Sequence, residues 1–182
     1  MPVPVVIAST LQYLLAATFL VIPVLVFTHG GPAQRAAEAA VSRQGVPPGV
    51  LAEHRIKIEE SVAELLFPVA IGIALATLAS LGLAGNGPGR ILSWIAAALL
   101  MTAGGLVTGS QLFAARVVEA AFRKSGDPAV RGLDARAVIG AAQDAFPAVL
   151  RPLVVIRFAL TTLGSLAVIL LLATPAAAAY FG

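Results

Sequence analysis

The amino-acid sequence predicts an all-α, polytopic membrane protein: four transmembrane helices in an antiparallel bundle with cytoplasmic helical extensions. Three observations predict it. Four long apolar stretches, at 3–28, 65–84, 91–115 and 158–180, run through the 182 residues, and none contains an Asp, Glu, Lys or Arg. The composition is 59% hydrophobic and 12% charged, with a mean hydropathy of +0.94. The basic residues are also unevenly placed: of twelve Lys and Arg, four lie in 29–64, seven in 116–157, and one, Arg90, in the short middle gap.

Each stretch is long enough to cross a hydrocarbon core about 30 Å thick, which takes roughly 20 helical residues. Without water there, each span must satisfy its own backbone hydrogen bonds, and this selects helices. The first stretch follows Met1-Pro2-Val3-Pro4, an n-region with no Lys or Arg, and is expected to be retained rather than cleaved. The basic residues assign orientation: 29–64 and 116–157 are expected to be cytoplasmic, with the termini and the 85–90 turn outside. Arg90 then snorkels at the outer interface. A formal charge of +3 and a pI near 10.0 fit anionic lipid headgroups at the cytoplasmic face rather than nucleic acid. Ten Arg against two Lys, with abundant Ala, points to a GC-rich bacterial genome and hence to the bacterial inner membrane. The absence of cysteine excludes disulfides and thiolate chemistry.

The elements follow in order within a single domain, 1–182. After the first span, Pro32–Gln44 reads as a short separate helix with Pro32 in its first turn, stopped by Gly45-Val46-Pro47-Pro48-Gly49. From Val50 a helical pattern is expected to run unbroken into the second span, with Glu53 and Lys57 paired four apart and Pro68 as a kink. Gly85-Asn86-Gly87-Pro88-Gly89 makes a tight turn into the third span. That span is expected to continue past Arg116, Glu119 and Arg123 until Ser125-Gly126-Asp127-Pro128 ends it. Asp134 can then cap an amphipathic helix with the apolar stripe Val138, Ile139, Ala142, Ala145, Phe146 and Val149. The stripe either lies flat on the inner leaflet or packs on the extensions of spans two and three. Pro147 and Pro152 separate it from the fourth span.

Small residues recur every four positions at Gly72, Ala76, Ser80 and Ala84, and Gly105 and Gly109 form a GxxxG pair. Such spacing lets helix backbones approach closely. The expected pairing is span two against span three.

The candidate site residues are Gln12, Glu60, Glu64, Arg116 and Arg157. Gln12 lies deep in the first span and needs a partner. Glu60 and Glu64 share a helical face near the inner boundary, and Arg116 or Arg157 is the expected ion-pair partner of Glu64; a proton or cation relay at Glu64 is the alternative. The span hydroxyls are expected to bond back to their own helices. His54, beside Glu53, lacks the three- or four-residue spacing of helical metal ligands. No catalytic, cofactor-binding or metal motif is present, and no stretch carries motifs specific enough to indicate a family. The expected function is therefore a non-catalytic accessory or scaffold subunit of a membrane complex, with a protein partner or a second copy of itself. The alternative is a small oligomeric transporter or channel for a small solute or ion.

Overall fold

A computed structural model describes residues 1–182. The chain is 80% helix with no strands. Four helices are long and apolar enough to cross a membrane: α1 (Val3–Ser42), α3 (Val62–Leu83), α4 (Gly87–Leu112) and α8 (Leu150–Leu172). Shorter helices connect them: α2 (Val50–Glu53), α5 (Ala114–Arg123), α6 (Pro128–Arg131), α7 (Ala135–Asp144) and α9 (Pro175–Phe181).

The first correction concerns α1, which continues through Thr28 and Pro32 instead of giving way to a second helix. Its 40 residues extend about 60 Å at 1.5 Å per residue. An interior proline costs a helical hydrogen bond. Burial of the tail offsets that loss, because Ala33, Ala37, Ala40 and Val41 pack into the largest core of the chain. The same core takes Leu51, Phe122, Val130 and Val138, so α1, α5 and α7 form a layer beyond the apolar spans. The stripe of α7 thus packs on the tail of α1 and on α5, not on an extension of α3. Val149 falls off that stripe and is exposed.

The second correction concerns the approach to α3. The helix that starts at Val50 stops at Glu53, and Arg55 takes a left-handed φ of 55°. The long helix begins only at Val62. Ser61 is its N-cap: Glu64 N donates to Ser61 Oγ (3.4 Å) and Ser61 N donates to Glu64 Oε2 (2.6 Å). This Ser-x-x-Glu capping box satisfies two end donors at once and fixes where the helix starts. α3 then runs on through Pro68.

The remaining boundaries differ by less. Phe113 breaks the third helix between α4 and α5 with φ −103° and ψ 27°. Asp134 caps α7 as expected, accepting from Arg136 N and Ala137 N. Pro152 lies in the first turn of α8, where a missing N–H costs no helical bond, so the chain bends at 145–149 instead. Arg90 is held rather than free: Nε and Nη2 both donate to Leu172 O (3.0 and 2.8 Å), capping the end of α8. Its guanidinium also lies 4.6 Å from the Trp94 ring centroid.

The small-residue faces pair differently from expectation. Gly72 of α3 meets the backbone and side chains of α1, where an added Cβ would lie 3.1 Å from Ala16 O. Gly104 and Gly105 of α4 face α8, not α3: a Cβ on Gly104 would lie 2.9 Å from Thr161 Cγ2. At this contact both helices loosen into π-turns, Leu100–Gly104 and Leu160–Gly164, which pack on one another. α3 and α4 do approach closely near their turn, where Gly89 abuts Leu81.

The Gly104 contact makes a graded prediction. Thr161 is fully buried and β-branched, so it cannot rotate away. Gly104→Leu is expected to cost about 1–3 kcal/mol through overpacking and to lower the melting temperature in mild detergent. Gly109→Leu meets only Phe158 at an ordinary 3.5 Å and should melt near the parent. Equal losses, or a larger loss at Gly109, would contradict the pairing of α4 with α8.

Candidate functional site

The structure divides the five sequence-derived candidates. Gln12 is 5% exposed and borders a cavity of about 10 Å³, with Leu75, Leu100, Leu160 and Ser165 among its neighbours. That space suits one water molecule at most. Its amide forms no hydrogen bond to the chain. Arg116 is exposed on α5 and lies 5.4 Å from the Phe113 ring centroid. Glu60, Glu64 and Arg157, by contrast, line one cleft. Glu64 pairs with Lys57 at 3.0 Å rather than with Arg116 or Arg157, because the capping box turns its carboxylate toward the chain just before α3.

Glu60 is delivered by the irregular segment before Ser61. That segment crosses α1 at Gly30, where an added Cβ would lie 3.1 Å from Glu59 Cα. Gln34, one turn on, accepts from Ile58 N (2.9 Å) and donates to Glu38 (2.8 Å). A glycine and an amide on α1 thus hold the backbone from Ile58 to Glu60. The Glu60 side chain then enters the cleft wall.

The cleft has a volume of about 920 Å³. This lies at the upper end of the roughly 300–1,000 Å³ range of small-molecule pockets. Its walls are mostly apolar, from Phe67, Ile71 and Leu78 of α3, Leu99, Ala103 and Val107 of α4, and Phe19 and Ile22 of α1. One end is polar, with Lys57, Glu60, Glu64, Gln111, Gln143 and Arg157. Ile139 and Ala142 of α7, and Phe146 just beyond its end, contribute there as well.

Arg157 is the least expected member. It is 4% exposed and its guanidinium lies 5.6 Å from the Phe19 ring centroid. Nη2 donates to Gln111 Oε1 across the gap between α8 and α4. Arg157 O accepts from Thr161 Oγ1 (2.6 Å) at the start of the π-turn. Arg157 Nε and Glu60 Oε2 are buried without a hydrogen-bond partner. The ion pairs of the chain are Lys57–Glu64 and Glu119–Arg123, so Arg157 and Glu60 belong to neither.

Sequence reasoning missed Gln111, Gln143 and Lys57 as members of this end. Gln111 was visible as an amide near the end of an apolar span, but nothing local marks it as the partner of a residue 46 positions away. The other polar groups act locally. Thr77, Ser80, Thr102, Thr108, Ser110, Thr161 and Thr162 donate to carbonyls of their own helices, and the Tyr13 hydroxyl lies a further 2.7 Å from Ser80 Oγ across the gap between α1 and α3. His54 packs edge-on against Phe122 and its Nδ1 lies 3.0 Å from Val50 O. No three His, Asp or Glu side chains converge to hold a metal ion. No protein-family model, curated protein or solved structure matches the chain.

Burial raises the Glu60 carboxyl above its ordinary 4.5; the Glu64 charge adds to the rise, while Arg157 and Lys57 oppose it. The folded state therefore holds this proton more tightly than the unfolded chain does. Stability from this group is fully present below pH 4.5 and falls as pH climbs through the raised value. Glu60→Gln, which cannot ionise, should melt close to the parent at acidic pH and above it toward neutral pH. A variant that is less stable than the parent at neutral pH would show that the ionised carboxylate is a stabilising member of the site.

Proposed function

We propose that the chain is a multi-pass integral membrane protein with its four long helices in an antiparallel bundle. Residues 29–64 and 116–157 lie on the cytoplasmic side, and the protein serves as a non-catalytic accessory subunit that holds a lipid-like molecule between its helices. Large apolar side chains face outward along the spans, with Leu106 78% and Leu163 70% exposed. Surfaces of that kind are stable against lipid and costly in water. The clustering of basic residues in two connectors supports the orientation.

The single observation that carries the ligand-holding reading is the 920 Å³ cleft, apolar along its length and charged at one end. Such a profile suits an amphiphile, whose chain replaces water-exposed or lipid-exposed walls and whose head meets the charges. The layer around Ala37, Val41, Phe122 and Val138 supports the accessory role, since it gives the spans a closely packed base for contact with a partner. The oligomeric transporter has less behind it. Gln12 borders a separate small cavity, and most hydroxyls within the spans are occupied by their own helices.

Saturable binding of a fluorescent acyl-chain probe to the detergent-purified protein tests this reading. The parent should bind the probe, and Ala103→Trp, which places a large side chain in the cleft, should not, while melting like the parent. Equal, non-saturable uptake by both proteins would remove the cleft as a binding site. Reporter fusions within 125–133 should read as cytoplasmic, and an external signal would overturn the orientation.

A further inference from the structure

The charged end of the cleft holds two opposite charges that form no ion pair. The ion pairs of the chain are formed by other residues, although Arg157 and Glu60 line the same cleft. Each also keeps a buried atom, Nε and Oε2, without a hydrogen-bond partner. A buried polar group left in this state costs free energy, and a buried charge costs more. Lys57 and Glu64 do not relieve it, because they are bound to one another.

The chemistry of the missing partner can be read from the two groups. Arg157 has only donors, arranged in a planar fork that matches phosphate oxygens. Phe19 and Gln111 fix that fork from one face and one arm, leaving Nε unsatisfied. Glu60, when ionised, has only acceptors and calls for an N–H or O–H donor. The pair together is neutral, so a zwitterionic head complements it better than a purely anionic one.

We propose that the cleft recognises a lipid with a phosphoethanolamine-type head, its phosphate on Arg157, its primary ammonium on Glu60, and its chain along Ile71, Leu99 and Ala103. This inference rests on the lipid-holding reading above and adds the head chemistry to it. The ammonium also offsets the burial that disfavours the Glu60 carboxylate, so ligand and carboxylate stabilise each other's charged forms. A quaternary choline head carries the same charges but has no N–H to donate. That difference is the handle for a test.

Competition against the acyl-chain probe, using lipids of identical chains, reads the preference directly. Phosphatidylethanolamine should displace the probe from the parent protein about tenfold more effectively than phosphatidylcholine, the effect of one hydrogen bond to a charged group. Glu60→Leu should erase that preference while still binding both lipids, and Arg157→Gln should weaken both. Should Arg157→Gln fail to fold, the comparison of the two lipids on the parent decides alone. Equal displacement by the two lipids would overturn the head assignment and leave chain binding standing. Failure of every lipid to displace the probe would overturn both. Displacement by chainless glycerophosphoethanolamine as effective as by the lipid would assign the site to a soluble ligand instead. Self-association that Ala103→Trp abolishes, without any lipid effect, would give the cleft to a second copy of the chain.

Discussion

A guanidinium is buried among apolar helices, and much of the surrounding structure is arranged to hold it. Removing a charge from water costs several kcal/mol even after the protein relaxes around it. Arg157 meets that cost only in part: Gln111 accepts from one arm and the guanidinium carbon lies 5.6 Å from the Phe19 ring centroid. No carboxylate closes the account within ion-pairing distance. The neighbouring features serve the same position. Thr161 bonds to the Arg157 carbonyl at the start of a π-turn, and Gly104 lets α4 come close enough for Gln111 to reach across.

The cleft follows from how the small residues pair. Gly72 commits α3 to α1, and Gly104 and Gly105 commit α4 to α8. The two middle helices are joined by a short turn and touch there, at Leu81 and Gly89, but their close-packing faces are both spent elsewhere. Their remaining faces carry Phe67, Ile71, Leu99 and Val107, which are too bulky to interlock at glycine distances, and a cleft remains between them. On the membrane reading proposed above, no hydrophobic drive pulls the helices together, so such a gap is not closed by default. The two facing π-turns widen α4 and α8 beside it. π-turns inside long helices often occur at functional sites, and here they lie next to the charged end.

The four long helices were legible because length and apolarity are local properties. The caps at Asp134 and the break at 125–128 were legible for the same reason. The start of α3 was not read, because the pattern running from Val50 through Glu53 and Lys57 suggested one unbroken helix. Left-handed Arg55 and the capping box decide in favour of Ser61. The unbroken α1 was not legible, since only the core around Ala37 and Val41 makes a helix through Pro32 favourable. Spacing of small residues announced close approach without naming the partner, and for α3 and α4 the sequence-adjacent partner was the wrong one. Of the candidate residues, Glu60, Glu64 and Arg157 line one cleft, but Glu60 lies before α3 rather than on a helical face shared with Glu64, and Glu64 pairs with Lys57 rather than with either arginine. Glu60 and Arg157 approach only through the crossing of the 56–60 segment over Gly30, which no local pattern encodes.

We propose the cleft between α3 and α4 as a site for an amphiphile whose head engages Arg157 and Glu60. Electron cryomicroscopy of the protein in lipid nanodiscs tests it most directly. Elongated density is expected along Ile71, Leu99 and Ala103, ending in a head between Arg157 and Glu60. Helices α3 and α4 closed on one another, with Arg157 paired directly to Glu60, would contradict it.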